Sequence, residues 1–317
     1  MLDDIPVFST ENFIARRIDL IRVNTGPIAY DPVLGWKLTD YFAPPINAVP
    51  VTIGDGGMRM NGNDERPIPT SATIAIGSSS TYGVGISNSD TWPAQLERIL
   101  DEPVVNAGAE DWGMDQIILR AESVKRQFNP KTLIVALSDR DVPLNTYTAY
   151  RGGRKPYFVI DKGGLSLVTP RSTFSVACVA TSKQSDSVIA YFLIKKLASL
   201  KERGTNVVLL LLYERDTIRS GQVPPYMGII GSAARDFGLQ VIDTLGELTT
   251  RIEGGTNSQR LWADPPTDSD PCGPRRRSWM SSNGQRVIAS TLSSKVFGRP
   301  SGDNVAATEN KVEIDHR

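Results

Sequence analysis

Of the residues in this 317-residue chain, Ser79 has the setting best suited to nucleophilic chemistry. It lies in Thr73-Ile-Ala-Ile-Gly-Ser-Ser-Ser-Thr-Tyr-Gly-Val-Gly85, an apolar run that stops at Gly77 and opens into small hydroxyl residues. The pattern predicts a buried strand that delivers a serine to a turn, where backbone N–H groups can face a developing oxyanion. It equally describes a plain tight loop with solvated hydroxyls, since Gly/Ser loops commonly follow strands. A serine near neutral pH reacts only if a neighbour takes its proton. The chain has a single histidine, His316, the next-to-last residue on a charged tail.

The elements that must position Ser79 follow from hydrophobic periodicity. Apolar runs at 73–77, 103–108, 132–137, 207–212 and 239–243 read as strands. They alternate with amphipathic segments: one capped by Asp90 or Thr91 and running to Glu102, with Pro93 in its first turn, then 114–128, 186–203, 225–237 and 283–296. Continuous apolar strands alternating with helices predict a parallel sheet covered on both faces, and such sheets bind ligands beyond the carboxyl ends of their strands. The expected sheet is five-stranded, in the order 2-1-3-4-5. Ser79, Gly108 and the segment after Leu137 all fall at carboxyl ends. Tyr157 to Val168 reads as a hairpin with Gly163 and Gly164 available for its turn. Residues 1–69, rich in Pro, Gly and Asn, read as a wrapping extension with short strands and one helix over 11–23. The segment from 299 reads as a flexible tail.

Composition removes several classes of function. Lys+Arg and Asp+Glu balance at 35 each, so bulk charge points to neither nucleic acid nor an anionic membrane, and Arg275-Arg-Arg277 is the local exception. Cys178 and Cys272 match no metal spacing, and free thiols are the default. The N-terminus lacks a basic start and apolar stretch, and no run approaches a membrane span, so the expected location is cytoplasmic. No metal or cofactor is expected.

Three places carry a resemblance to the SGNH (GDSL-like) hydrolases, esterases and acyltransferases on a three-layer α/β/α flavodoxin-like fold. The family's Gly-Asp-Ser-x-Thr-x-Gly block resembles Gly77-Ser-Ser-Ser-Thr-Tyr-Gly83, which places Ser79 on the nucleophile. The second block resembles Asn106-Ala-Gly108, with the Gly108 N–H as oxyanion donor beside that of Ser79. The third, Gly-x-Asn-Asp, falls on Ser138-Asp-Arg-Asp141, so Arg140 stands for the asparagine donor. The last, Asp-x-x-His, aligns with Arg276-Arg-Ser-Trp279. Asp90-Thr-Trp-Pro93, Gly113-x-Asp-Gln116 and Lys155-Pro-Tyr-Phe158 resemble one branch of the family. The resemblance runs over roughly residues 30 to 297, and it implies an SGNH-like domain over 70–298.

The departures carry as much chemistry as the matches. Trp279 stands where the histidine base belongs, Arg276 where its aspartate belongs, and Ser78 replaces the acid beside the nucleophile. Indole has no basic nitrogen and guanidinium accepts no proton. What survives is a pocket for a small acylated or anionic ligand, acylated carbohydrate among the expected kinds, with weak turnover or none. Arg140 fits a structural ion pair with Asp139 or Asp141 equally well, and Trp279 fits simple packing. A binding-only protein and a phosphate-binding flavodoxin-like module remain open as alternatives, and the oligomeric state is not legible.

Overall fold

A computed structural model describes residues 28–38, 42–43, 51–62, 68–69, 72–150, 153–169, 179–180, 186–201, 204–263 and 279–300. The helix expected over 11–23, both cysteines, Arg276 and the tail beyond 300, with His316, lie outside them. Two antiparallel strands open the described chain, β1 (Ile28–Asp31) and β2 (Gly35–Leu38). Three short strands follow, β3 (Phe42–Ala43), β4 (Val51–Gly54) and β5 (Met58–Arg59). Then come β6 (Thr73–Ile76), β7 (Val104–Asn106) and β8 (Thr132–Ser138). A peripheral group comprises β9 (Tyr147–Tyr150), β10 (Gly153–Arg154), the hairpin of β11 (Tyr157–Asp161) and β12 (Gly164–Val168), and β13 (Val179–Ala180). The last strands are β14 (Asn206–Leu212), β15 (Gln240–Asp243), β16 (Trp262–Ala263) and β17 (Trp279–Met280).

The central sheet has the order β15-β14-β8-β6-β7-β5-β4-β3. Its five strands β6, β7, β8, β14 and β15 are parallel wherever they pair with one another. In chain order they lie 2-1-3-4-5, as the alternation of strands and helices predicts. The addition is the antiparallel edge: β5 pairs with β7 through Arg59 and Asn106, so the extension continues the sheet to eight strands. Ile74, Ala75 and Ile76 of β6 and Leu133 to Leu137 of β8 are buried, as strands covered on both faces must be. Helices Trp92–Leu100 and Ser282–Phe297 pack together, while Met114–Phe128, Asp186–Ala198 and Pro225–Asp236 form a second packed group. These are the helical layers of a three-layer α/β/α fold.

Local chemistry accounts for the boundaries. Thr91 caps the first of these helices, its Oγ1 accepting the Ala94 N–H at 3.4 Å, with Pro93 in the first turn where no N–H is missed. The hairpin turn is centred on Lys162 and Gly163, both at positive φ (49° and 78°), and Gly164 already belongs to β12. The turn therefore sits one residue earlier than the two glycines suggest. Helices at Arg215–Ser220 and Leu245–Glu253 are additional to the sequence expectation. Among the described residues no helix is long and apolar enough to cross a membrane.

The interior holds an ion pair between Lys155 and Asp115, both side chains fully buried. Burial pushes the Asp115 carboxyl up from its usual range and pulls the Lys155 ammonium down, and the attraction between them opposes both shifts. Lys155 Nζ also donates to the Leu144 carbonyl at 3.0 Å, and the Asp115 N–H donates to Asn145 Oδ1 at 3.0 Å. The pair thus fastens the segment after β8 to helix Met114–Phe128. Removing one partner of such a pair costs about 3–5 kcal/mol, because a lone charge is left in the interior. Lys155→Met should lose stability of that order in urea unfolding, and adding Asp115→Asn should recover part of the loss.

Candidate functional site

Helix Ser79–Tyr82 begins directly beyond β6 and is only one turn long. Its approach to the sheet leaves no room for side chains at two positions. A Cβ on Gly77 would lie 2.2 Å from Thr81 Oγ1, and one on Gly108 would lie 2.7 Å from the Tyr82 nitrogen. Both glycines of the sequence motif are therefore steric requirements of the turn.

A one-turn helix leaves its later carbonyls without partners of its own. Three distant side chains supply them. Gln285 Nε2 of the last helix donates to the Ser80 carbonyl at 2.9 Å, and Asn106 Nδ2 at the end of β7 donates to that of Thr81 at 2.8 Å. Arg59 Nη1 donates to the Tyr82 carbonyl at 2.6 Å, and Arg59 Nη2 to that of Ile86 at 2.6 Å. The Arg59 guanidinium also stacks 4.9 Å from the Tyr82 ring centroid. Burial lowers the Arg59 pKa to about 10, so the group stays charged at neutral pH. A cation at a helix C-terminus is the favourable arrangement for the helix dipole.

Ser79 opens onto a small, shallow pocket of about 20 Å³, lined by Ser78, Ser79, Ser80, Asp111, Ser138, Arg140, Asp141, Leu144 and Glu214. Ser79 and Arg140 thus meet, as expected of loops at one edge of a parallel sheet. Gly108 is not in the lining. Its N–H donates to Asn106 Oδ1 at 3.1 Å, and its Cα packs behind the helix. The N–H that reaches Ser79 Oγ belongs instead to Asp111, at 3.2 Å. Asp111 is buried, with φ of 64°, a left-handed conformation that Asp tolerates better than most residues. The Gly108 N–H is thus engaged by Asn106 in this structure, and the backbone N–H beside Ser79 Oγ is that of Asp111. The sequence carried only a faint signal of this, because the two obvious glycines, 108 and 113, flank the residue that adopts the glycine-like backbone.

The segment after β8 separates its two acids. The Asp139 carboxylate faces away from the pocket, accepting the Glu214 N–H at 3.0 Å and the Thr217 hydroxyl. Arg140 Nη2 donates to the Tyr150 hydroxyl at 3.2 Å. Asp141 Oδ2 accepts the Ser138 N–H at 2.7 Å. Burial raises the Asp141 pKa to about 7; the Ser138 hydrogen bond opposes the rise and the nearby charge of Glu214 adds to it. Among the described residues no group of His, Cys, Asp and Glu is arranged to hold a metal ion.

The last block of the motif can be placed by its backbone. Strand β17, which begins at Trp279, lies against helix Ser79–Tyr82 and pairs with Trp262–Ala263. Ser281 caps the final helix by accepting the Gly284 N–H at 3.3 Å, and a Cβ on Gly284 would lie 2.4 Å from the Leu261 carbonyl oxygen. Met280-Ser-Ser-Asn-Gly284 thus brings the chain beside the serine turn. Arg276 lies outside the described residues.

No protein-family model matches the chain, and no curated protein sequence matches it. Solved structures do. A lipolytic G-D-S-L protein from Veillonella parvula is 13% identical with a TM-score of 0.46, over 71% of this chain and 98% of its own. An α/β hydrolase from the metagenome of Lake Arreo is 15% identical with a TM-score of 0.46, over 71% and 94%. A lipase/acylhydrolase from Enterococcus faecalis is 13% identical with a TM-score of 0.44, over 72% and 95%. At these values no activity passes from those proteins to this chain.

The left-handed backbone at Asp111 gives a test that is independent of its carboxylate. Asp111→Ala and Asp111→Gly both remove the acid, but only alanine meets the steric penalty of positive φ, about 1 kcal/mol. In thermal or urea unfolding the glycine variant should be the more stable of the two by about that amount.

Proposed function

We propose that this chain is an SGNH hydrolase-like protein whose Ser79 pocket binds a small acylated ligand, or the corresponding carboxylic acid, with weak turnover or none. The observation that carries the reading is the position of β17 beside helix Ser79–Tyr82. It supports aligning Trp279 with the histidine of the resemblance, an alignment that leaves the serine without that general base. Loss of a triad base costs on the order of a million-fold in kcat, and roughly a thousandfold over water survives from oxyanion and binding terms. The other substitutions agree with that loss. Arg140 stands in the asparagine position, and Asp111 puts a carboxylate-bearing residue where the N–H donor faces Ser79 Oγ.

The phosphate-binding alternative is not favoured. The helix after β6 is a single turn, and the pocket walls carry Asp111, Asp141 and Glu214. Within the favoured reading an acyltransferase role and a purely binding role share the same site, and measured turnover separates them.

Incubation with a fluorophosphonate probe is the direct experiment. Wild type should label slowly or not at all, with any labelling lost in Ser79→Ala; rapid Ser79-dependent labelling would refute the loss of turnover. A repair variant tests the alignment itself. Trp279→His with Arg276→Asp restores an imidazole and its orienting carboxylate, and Arg140→Asn adds a neutral oxyanion donor worth roughly 3 kcal/mol. The triple variant should hydrolyse 4-nitrophenyl acetate measurably faster than wild type. Ser79→Ala in that background should abolish the gain.

A further inference from the structure

Ser79 Oγ accepts the N–H of Asp111 at 3.2 Å. That N–H belongs to the same peptide unit as the Glu110 carbonyl, which accepts the indole N–H of Trp36 at 3.2 Å. In a trans peptide the carbonyl and the N–H point in opposite directions. The plane between residues 110 and 111 is therefore gripped at both ends, with its oxygen held by an indole of β2 and its nitrogen turned onto the serine. Rotating that plane would deprive both groups of these partners at once.

Asp111 does not hold this conformation by preference. A residue with a side chain at φ of 64° is strained, and it persists only where its surroundings fix it. Trp36 fixes it from both sides. Besides its bond to Glu110, its own carbonyl accepts the indole N–H of Trp112 at 3.1 Å, so one residue of β2 bonds to the neighbours of Asp111 before and after it. Trp36 is itself firmly seated, 1% exposed, with its ring against Gly153 of β10, where a Cβ would lie 2.8 Å from it. The preceding Gly35, at φ of 81°, meets the Arg154 carbonyl oxygen so closely that a Cβ would clash. The indole is thus wedged between the Asp111 loop and β10.

A peptide whose carbonyl accepts a hydrogen bond becomes a better donor at its own N–H, because the two bonds polarise one another. We propose that Trp36 is a positioning residue of the Ser79 site: through the Glu110–Asp111 peptide, its indole N–H orients and strengthens the backbone donor presented at Ser79 Oγ. Such a preorganised N–H suits an acyl oxygen or developing negative charge at the serine. That consequence for a ligand rests on the reading of this pocket as a ligand site. The hairpin of β1 and β2, part of the wrapping extension, is on this account a component of the site.

The test reads the Asp111 amide by NMR. In wild type, Ser79→Ala removes its acceptor and should move the amide proton upfield. Trp36→Phe keeps an aromatic ring beside Gly153 and loses only the N–H. In that variant the Asp111 amide should already lie upfield and barely respond when Ser79→Ala is added. Its exchange with solvent, measured against the amides of β8, should be about tenfold faster than in wild type. A Trp36 that only packs would lower stability and leave the response to Ser79→Ala intact. Leu248→Ala, a core truncation in helix Leu245–Glu253, should behave in that way and serves as the control. A response of wild-type size in Trp36→Phe overturns the proposal. Wild type alone decides if Trp36→Phe fails to fold: the Trp36 indole N–H and the Asp111 amide should exchange through one opening, with the same dependence on urea, and separate openings overturn the proposal. The readout is an amide signal and not labelling or turnover. A negative result here therefore leaves the pocket reading to the fluorophosphonate experiment, and failure of that reading leaves the amide result standing.

Discussion

The carbonyls that follow Ser79 impose the constraint on which the site depends. A helix of four residues ends before it can satisfy them, and a buried carbonyl without a donor costs about 1–3 kcal/mol. The donors are Gln285 from the last helix, Asn106 from β7 and Arg59 from β5. Three elements around the turn thus each contribute one polar side chain to its backbone. The price of exposing a serine at a strand end is met by the whole fold, because no local segment can do it.

A second constraint acts on the opposite wall of the pocket. Arg140 and Asp141 follow β8 in a segment held at Leu144 and Asn145 by Lys155 and by the Asp115 N–H. Gln116 adds a third tie, with its Oε1 accepting the Gly113 N–H at 3.1 Å and its Nε2 donating to the Leu34 carbonyl at 2.7 Å. The pocket floor is therefore fixed by polar groups inside the protein, where the low dielectric makes each satisfied bond strong. The Asp141 carboxyl sits there with the Ser138 N–H as its backbone donor.

The sheet was legible in the sequence because its strands are continuous apolar runs, and period and length separate these from the helices. Helix Met114–Phe128 was read to the residue, since Gly113 before it and Asn129 in a left-handed cap after it are strong boundary signals. The short strands β3 to β5 were not resolved within the extension, because two to four residues carry no periodicity and their pairing is set by long-range contact. In the site, Ser79 and Arg140 were legible from spacing. Asp111 was missed because its role lies in its backbone N–H, which side-chain chemistry does not announce, and Gly108 beside Asn106 offered the more obvious donor. The clamps of Arg59 and Gln285 were invisible for the same reason: a side chain that serves a distant carbonyl leaves no local pattern.

The reach of the Gln285 clamp bears on how the protein is made. Its partner, the Ser80 carbonyl, precedes it by 205 residues. During synthesis at about 5–20 residues per second, the serine turn and its sheet leave the ribosome well before the glutamine that completes them. The nascent chain can assemble its central strands while the turn still bonds to water, and the pocket reaches its final shape only when the C-terminal helix docks. Maturation of the site is thus tied to completion of the polypeptide, and a chain truncated before that helix carries the serine without the architecture that holds it.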